Sequence, residues 1–301
     1  MSMAPVALFA YRRPEHLARA VASLVANEEA AQTDLLVFCD GAKHAGQQPA
    51  IDAVRRVAHG IRGFRSVSVI EQARNLGLAA SVIGGVTRVL EERESVIVVE
   101  DDLVLSPFFL RFMNESLACY AAQARVASVH AYIFPVRRPL PETFFLKGAE
   151  CWGWATWRRA WRTFNDDAAG LLREIRRRGL EHEFDMDGAY GYKAMLEAQL
   201  RGEVDSWSIR WRASCYLAGM LTLYPGRSLV QNRGLDATGT HRDYSPDFDV
   251  ELATEPIRVR PIPIEPSAEG RAAYVEFFRS RARPGLMRRA LAAAARWARS
   301  G

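Results

Sequence analysis

Short apolar runs alternate with amphipathic segments along the first 120 residues of the chain. The runs lie at residues 6–10, 35–39, 67–70 and 96–99, and each is short enough to be a buried strand. Pro14 and Pro107 stand where a first helical turn would begin, and residues 78–92 have helical periodicity. This alternation predicts an α/β fold whose mostly parallel sheet is covered by helices on both faces.

The pattern is less regular after residue 125. Strands are predicted at 126–130, 143–147 and 221–224, and helices at 156–164 and 188–201. From residue 244 the chain is rich in proline, which predicts an extended segment along the surface. Two further helices are predicted at 271–279 and 286–299.

The composition is that of a globular protein. The chain has 301 residues, of which 49% are hydrophobic and 25% charged. No apolar stretch approaches the roughly 20 residues that span a bilayer, and residues 1–5 do not resemble a signal peptide. We therefore expect a cytoplasmic protein. Its four cysteines are far apart, which predicts buried thiols rather than disulfides or a zinc site.

Positive charge is concentrated at the C-terminal end. Residues 277–301 contain seven arginines and no acid, so the other 276 residues carry −2 of the formal net charge of +5. In the predicted helix 286–299 the arginines lie on one face of the helix. This arrangement suits peripheral binding to the anionic inner face of a membrane. A helix packed on its own domain with a solvated basic face is the alternative. The arginines are not accompanied by a recognition motif for nucleic acid, so nucleic-acid binding is not predicted.

The most informative motif is Glu100-Asp101-Asp102, directly after the apolar run 96–99. Adjacent carboxylates repel one another, and a divalent ion with its bound phosphates would offset that repulsion. A solvated acidic turn is the alternative. Neither GxGxxG nor GxxxxGK[ST] occurs, so the dinucleotide and P-loop classes are disfavoured.

Asp40 at the end of the second run, together with the later Glu-Asp-Asp motif, resembles the GT-A glycosyltransferases, which hold a metal-bound nucleoside diphosphate sugar. Arg74-Asn75-Leu76-Gly77 is similar to the RNxG segment of family 2 glycosyltransferases. The segments 128–132, 144–154, 205–211 and 231–241 resemble, in the same order, those of the N-acetylglucosaminyltransferase I family. Two departures are Ser206, which separates Asp205 from Trp207, and an insertion at about 163–203.

The resemblance implies a GT-A (Rossmann-like) fold with an α-rich acceptor side and an extended C-terminal tail. The catalytic domain would be 1–245, with a nucleotide-sugar half (1–125) and an acceptor half (126–245), followed by the wrap and basic helix of 246–301. Asp102 would bind Mn²⁺ or Mg²⁺. The donor-side residues implied are Arg12, Asp40, Arg74, Asn75, Glu100, Asp101 and His241.

On the acceptor side, Asp205 is the expected general base, because inversion needs a carboxylate that takes the acceptor proton. Its competitors are Asp166, Asp167 and Asp187. Stacking on sugar rings is expected of Trp152, Trp154 and Trp207, and core packing is the alternative for each.

These expectations together indicate an inverting, metal-dependent glycosyltransferase. Its donor would be a nucleoside diphosphate sugar, UDP-linked by preference, and its acceptor a glycan or lipid-linked saccharide in cell-surface polysaccharide synthesis. A sugar-nucleotide nucleotidyltransferase is one alternative, although the Gly-rich loop of that class is missing after the first strand. A non-catalytic carbohydrate-binding protein is the other.

Overall fold

The structure, a computed structural model, describes residues 3–234 and 246–281. Strands and helices alternate through its first hundred residues, as the apolar pattern predicts. The elements are β1 (Val6–Ala10), α1 (Pro14–Val25), β2 (Asp34–Cys39), α2 (Gln48–Gly60), β3 (Ser66–Glu71), α3 (Leu78–Glu92) and β4 (Ser95–Glu100). The pattern misses α2, because its buried residues are few: Ile51, Val54 and Ala58.

The second half contains shorter elements. They are β5 (Leu103–Leu105), α4 (Phe109–Cys119), β6 (Val126–His130), β7 (Thr143–Lys147), β8 (Trp154–Trp157), α5 (Arg158–Trp161), α6 (Ala168–Arg177), α7 (Glu181–Phe184), α8 (Tyr192–Leu200), α9 (Trp207–Leu217), β9 (Leu221–Pro225), β10 (Val230–Asn232) and α10 (Ala268–Arg281).

The helix predicted at 156–164 is wrong in its first part. Residues 154–157 form β8, which is buried throughout and pairs with strands on both sides, and only the short α5 follows. The helix predicted at 188–201 begins later, at Tyr192, because Gly188 has a positive φ of 71° that a helix does not accommodate.

In the part of the chain that the structure describes, eight strands form one sheet in the order β3-β2-β1-β4-β8-β6-β9-β7. The first four are mutually parallel, and β8 and β7 run opposite to the other six. β5 and β10 form a separate antiparallel pair. The prediction of an α/β fold with a mostly parallel sheet flanked by helices is confirmed.

The segment that follows residue 246 runs along the body of the protein. The Ala253 amide donates to the Ser228 carbonyl at 2.8 Å, and the Tyr120 hydroxyl donates to the Arg260 carbonyl at 3.0 Å. In α10, Phe277 and Phe278 are buried against Phe134. These contacts join the segment to the same core as the residues before it. The domain boundary predicted at residue 245 stays a prediction. Within the described ranges, no helix is long and apolar enough to cross a membrane.

Two neighbouring glycines of α3 provide a test of its packing on the sheet. A Cβ at Gly85 would lie 2.6 Å from Cε1 of Phe9, whereas a Cβ at exposed Gly84 meets nothing within 4 Å. We expect Gly85→Ala to lower the free energy of unfolding by about 1–3 kcal/mol through overpacking. Gly84→Ala should raise it by up to about 1 kcal/mol, because alanine favours the helix. Urea unfolding of the two variants checks this, and equal effects would contradict the packing described.

Candidate functional site

The three carboxylates at the end of β4, called here the acidic ledge (Glu100, Asp101 and Asp102), lie at the carboxyl edge of the parallel strands. β1 and β4 are adjacent, with Phe9 opposite Glu100. The Tyr11 amide donates to Oδ2 of Asp101 at 2.9 Å, and the Asp101 amide donates to the Phe9 carbonyl at 3.0 Å. The chain that leaves β1 is therefore fixed directly to the ledge.

Arg13 supplies the cation that compensates the ledge. Its Nη2 lies 2.5 Å from Oδ1 of Asp101 and 3.0 Å from Oδ2 of Asp102. Both acids are largely buried, with 5% and 17% of their side chains exposed. Among the described residues, one guanidinium thus compensates a group of three acids, of which it contacts Asp101 and Asp102 directly.

Burial dominates the ionisation of the ledge. It raises the pKa of Glu100 to about 8, and repulsion from Asp102 and Asp101 adds to the effect. Burial also raises the pKa of Asp101 to about 7, although the attraction of Arg13 opposes it. Burial alone would lower the pKa of Arg13, but the two aspartates outweigh it and raise that pKa. Arg13 therefore stays protonated, whereas ionising all three acids at once costs free energy.

Sequence reasoning named Arg12 and missed Arg13. The signal lies in the adjacency of β1 and β4, which places the residues after Ala10 beside the ledge. The sequence does not decide which of the two arginines turns inward. In the structure Arg12 is exposed with a left-handed φ of 44°, and this turn directs the next residue toward the acids.

Asp40 holds the loop that follows β3. Its Oδ1 accepts from the amides of Gly41 and Leu76, each at 2.8 Å. Its Oδ2 accepts from Nδ2 of Asn75 at 2.9 Å and from the Gly77 amide at 3.0 Å. A carboxylate accepts about four hydrogen bonds, so these donors fill the capacity of Asp40. Its implied role in binding the donor stays a prediction, and its contacts in the structure position residues 75–77.

Gly41 allows the loops after β2 and β3 to meet. A Cβ at this position would lie 2.4 Å from the backbone carbon of Arg74, closer than any side chain permits. The side-chain Nδ2 of Asn75 donates to both Asp40 and the Gly41 carbonyl. The Arg74 side chain itself is exposed. Arg12 and Arg74 therefore provide two exposed cations on loops that leave the carboxyl edge of the sheet.

Asp205 lies just before α9 and is 63% exposed. Its Oδ1 accepts from Nη2 of Arg210 at 2.7 Å, and the same guanidinium contacts Asp166 at 2.5 Å. The competing acids are also engaged, since Asp167 caps α6 and Asp187 pairs with Arg271 at 2.6 Å. The structure gives Asp205 a contact to an arginine and high exposure, and its role as base stays a prediction.

The three tryptophans expected to stack on an acceptor lie in different environments. Trp154 and Trp207 are 1% and 3% exposed and stack on each other with ring centres 5.2 Å apart. Neither has a face open to a sugar, so the structure assigns both to the core. Trp152 is only partly buried, beside Tyr132 at 4.7 Å. Acceptor stacking therefore stays a prediction for Trp152.

The residues after β10 also contact the ledge, at Asp102. The Arg233 amide donates to the Asp102 carbonyl at 2.8 Å, and a Cβ at Gly234 would lie 2.2 Å from Oδ2 of Asp102. Glycine is therefore required where this chain crosses the carboxylate. His241, implied above as a donor-side residue, lies outside the described residues.

The donor set of the ledge fits a cation that its substrate carries. Across residues 3–234 and 246–281, no group of three His, Cys, Asp or Glu side chains could hold a metal unaided. Oδ2 of Asp102 accepts from Arg13, and its Oδ1 has no hydrogen-bond partner among the described side chains. Mg²⁺ usually binds one or two carboxylates and completes its shell with phosphates and water. Asp102 meets that requirement.

Two cavities lie elsewhere on the protein. One of about 210 Å³ adjoins Asp40 and is lined by Phe38, Gln72, Leu76 and α3. A larger one of about 700 Å³ lies between residues 133–142, 226–228 and 250–257, and shares no residue with the ledge. We assign the candidate site to the ledge, because the charges and close backbone contacts converge there.

Solved structures that the chain resembles are distant. A mannosyltransferase from Pyrobaculum calidifontis, in complex with GDP-Man and Mn²⁺, is 12% identical with a TM-score of 0.41, over 72% of this chain and 69% of that one. TarS from S. aureus is 11% identical with a TM-score of 0.41, over 76% of this chain and 36% of its own. Mannose-1-phosphate geranyltransferase from Thermus thermophilus is 15% identical with a TM-score of 0.33, over 75% and 74%.

This chain thus matches about a third of TarS. No protein-family model matches the sequence, and no curated protein matches it. Likenesses this weak carry no argument about activity, and the resemblance to the N-acetylglucosaminyltransferase I family stays a prediction. The function is argued from the site itself.

The contacts of Arg13 predict a clear difference from its neighbour Arg12. Removing one partner of a buried ion pair leaves uncompensated charge, so Arg13→Gln should lower the free energy of unfolding by about 3–5 kcal/mol. Arg12→Gln changes an exposed side chain and should stay within about 0.5 kcal/mol of the parent. Denaturant unfolding at pH 8 measures both. Similar values for the two variants would show that Arg13 does not compensate the ledge.

Proposed function

We propose that the protein is an inverting, metal-dependent glycosyltransferase that uses a nucleoside diphosphate sugar, UDP-linked by preference. The observation that carries the proposal is the acidic ledge at the sheet edge, where, among the described residues, one guanidinium contacts two of three adjacent acids. A site with this charge attracts a divalent cation, and a cation with open positions binds phosphates. Ligands of open α/β sheets bind at this edge of the sheet.

Asp102 would hold Mn²⁺ or Mg²⁺ in this proposal. When bound, the ion neutralises charge that develops on the departing diphosphate. Arg13 keeps Asp101 and Asp102 oriented, and Gly234 lets the chain after β10 cross close to Asp102. The carboxyl group of Glu100 would accept a hydrogen bond from a ribose or sugar hydroxyl.

The loops after β1 and β3 would bind the rest of the donor. Arg12 and Arg74 are exposed and can reach a phosphate or a nucleobase without breaking a contact described above. Asp40 and Asn75 would act mainly by keeping the second loop in place, because their hydrogen bonds close it. A fixed loop loses less conformational entropy when a ligand binds.

The acceptor would approach from the side of β8 and α9. Trp152 is the partly buried ring on that side, and Asp205 is the acid that the sequence nominates as base. A glycan or lipid-linked saccharide is the acceptor class in this proposal. Transfer with inversion places the acceptor hydroxyl opposite the leaving diphosphate, so donor and acceptor must both lie near the ledge.

The metal role is tested with Asp102→Asn. This variant replaces a charged oxygen ligand with a neutral one in a polar site, so it should abolish Mn²⁺-dependent UDP binding while the protein remains folded. Titration calorimetry of UDP, with and without Mn²⁺, is the measurement. Thermal unfolding of the same samples confirms that the variant is folded.

Asp52→Asn is the matched control, since Asp52 lies on α2 and contacts Gln48. The control should bind UDP as the parent does. UDP binding by Asp102→Asn as tight as the parent's, with Mn²⁺ present, would remove the metal role. Parent protein that binds neither UDP nor GDP would remove the proposed function as a whole.

We also propose that the arginine-rich C-terminal end binds an anionic membrane surface near a lipid-linked acceptor. Of its seven arginines, Arg279 and Arg281 contact the body of the protein through Asp187 and Asp247. Phe277 and Phe278 are core residues, so a truncation that tests this proposal should remove only 282–301.

Full-length protein should sediment with anionic liposomes, and salt should weaken this, because the Debye length falls from about 10 Å at 0.1 M to about 3 Å at 1 M. The truncated protein should stay in solution and keep its UDP affinity. If both forms sediment equally, the basic segment does not bind the membrane.

A further inference from the structure

A fourth carboxylate, Glu150, stands on the segment that leads into β8, next to the ledge. In the antiparallel pair of β4 and β8, Val98 lies opposite Trp154, the first residue of β8, so the residues just before Trp154 approach the end of β4 that carries the ledge. On the other side, the Ala131 amide donates to the Gly153 carbonyl at 2.9 Å. Gly153 therefore lies at the edge of the sheet that carries the ledge, and Glu150 precedes it by three residues.

Two helices hold Glu150 by one of its oxygens. Oε1 accepts from Nη1 of Arg212 at 2.5 Å and from the Tyr192 hydroxyl at 2.7 Å. Arg212 comes from α9, Tyr192 comes from α8, and both are buried. The guanidinium also lies 3.6 Å from the centre of the Tyr192 ring. The orientation of the carboxylate is thus set by groups that cannot easily move.

The second oxygen of Glu150 is open. Among the described residues Oε2 has no hydrogen-bond partner, and 17% of the side chain is exposed. A carboxylate that is fixed through one oxygen and free at the other suits a group that accepts a proton or a hydrogen bond from a ligand.

Core stability does not explain this arrangement well. A buried ion pair is often no more stable than apolar residues of similar volume, and Nε of Arg212 is buried without a hydrogen-bond partner among the described residues. The thiol of Cys151 links Glu150 to the ledge electrostatically. Burial raises its pKa well above the usual value, and Glu100, Glu150 and Asp102 raise it further, so both acidic groups act on one atom.

We propose that Glu150 is the catalytic base that takes the proton of the acceptor hydroxyl, an inference that rests on the proposed glycosyl transfer. Oε2 accepts the hydroxyl proton while the hydroxyl oxygen forms its bond to the anomeric carbon. The bond from that carbon to the diphosphate oxygen breaks, and its electron pair leaves with the diphosphate. Arg212 and Tyr192 are positioning residues. Asp205, at 63% exposure, gains much less orientation from the fold.

Glu150→Gln is the decisive variant, because its amide oxygen can still accept from Arg212 and Tyr192 but its side chain cannot take a proton. We expect turnover to fall by roughly 10²–10⁴ with UDP affinity unchanged. The measurement is release of nucleoside diphosphate from UDP- and GDP-linked hexoses with Mn²⁺, in water and with added soluble saccharides. Water takes the acceptor position in the first case.

The matched control is Glu197→Gln. Like Glu150, Glu197 is partly buried and pairs with an arginine; it lies on α8, and its partner is Arg176 at 2.8 Å. It should keep parental turnover. Glu150→Asp keeps a carboxylate on a side chain that is one methylene shorter, so it lies further from the acceptor. We expect turnover between that of the parent and that of Glu150→Gln. This second variant decides the outcome if Glu150→Gln does not fold.

The outcomes separate this inference from the proposed function. If the parent binds UDP and releases diphosphate, but Glu150→Gln does so equally, only the role of Glu150 is overturned. A loss confined to Asp205→Asn would return the base to Asp205. If the parent neither binds nor turns over any of these donors, the proposed function fails and the inference fails with it.

Discussion

The guanidinium of Arg13 lies between two largely buried carboxylates that the sheet holds at its carboxyl edge. The pairing of β1 with β4 forces this meeting, because it fixes the chain after β1 against the chain after β4. Without a cation, the burial of Asp101 would be too costly for the ledge to persist. Among the described residues, Arg13 is the cation that contacts the ledge, so ionising all three acids is costly, and a bound cation would offset their charge. The rest of the site is arranged around this incomplete compensation.

The other loops at the same edge use backbone contacts rather than charge pairs. Asp40 joins the loops after β2 and β3 through four hydrogen bonds, and Gly41 lets their backbones touch. Gly234 plays the corresponding part above Asp102. Rigid loops around a charged ledge would bind a flexible, phosphate-bearing donor with little ordering cost. On the acceptor side, side chains of α8 and α9 fix Glu150 through a hydroxyl and an ion pair.

The sequence predicts the first half of the fold well, because its strands are continuous apolar runs that end in polar residues. It predicts the ledge for the same reason. It misassigns β8, whose tryptophans resemble an amphipathic helix and become intelligible only when Trp154 is paired with both neighbours. Arg13 and Glu150 escape sequence reasoning, because their importance comes from residues 88 and 62 positions away in the chain. Local pattern carries no information about such contacts.

The central claim is that the ledge binds a metal carried by a nucleoside diphosphate, and a structure of the protein with UDP and Mg²⁺ tests it most directly. The account predicts the ion about 2.0–2.1 Å from a carboxylate oxygen of Asp102, with the diphosphate completing its shell. UDP bound instead in the 700 Å³ cavity between residues 133–142 and 250–257, or bound at the edge of the sheet without an ion, would contradict it.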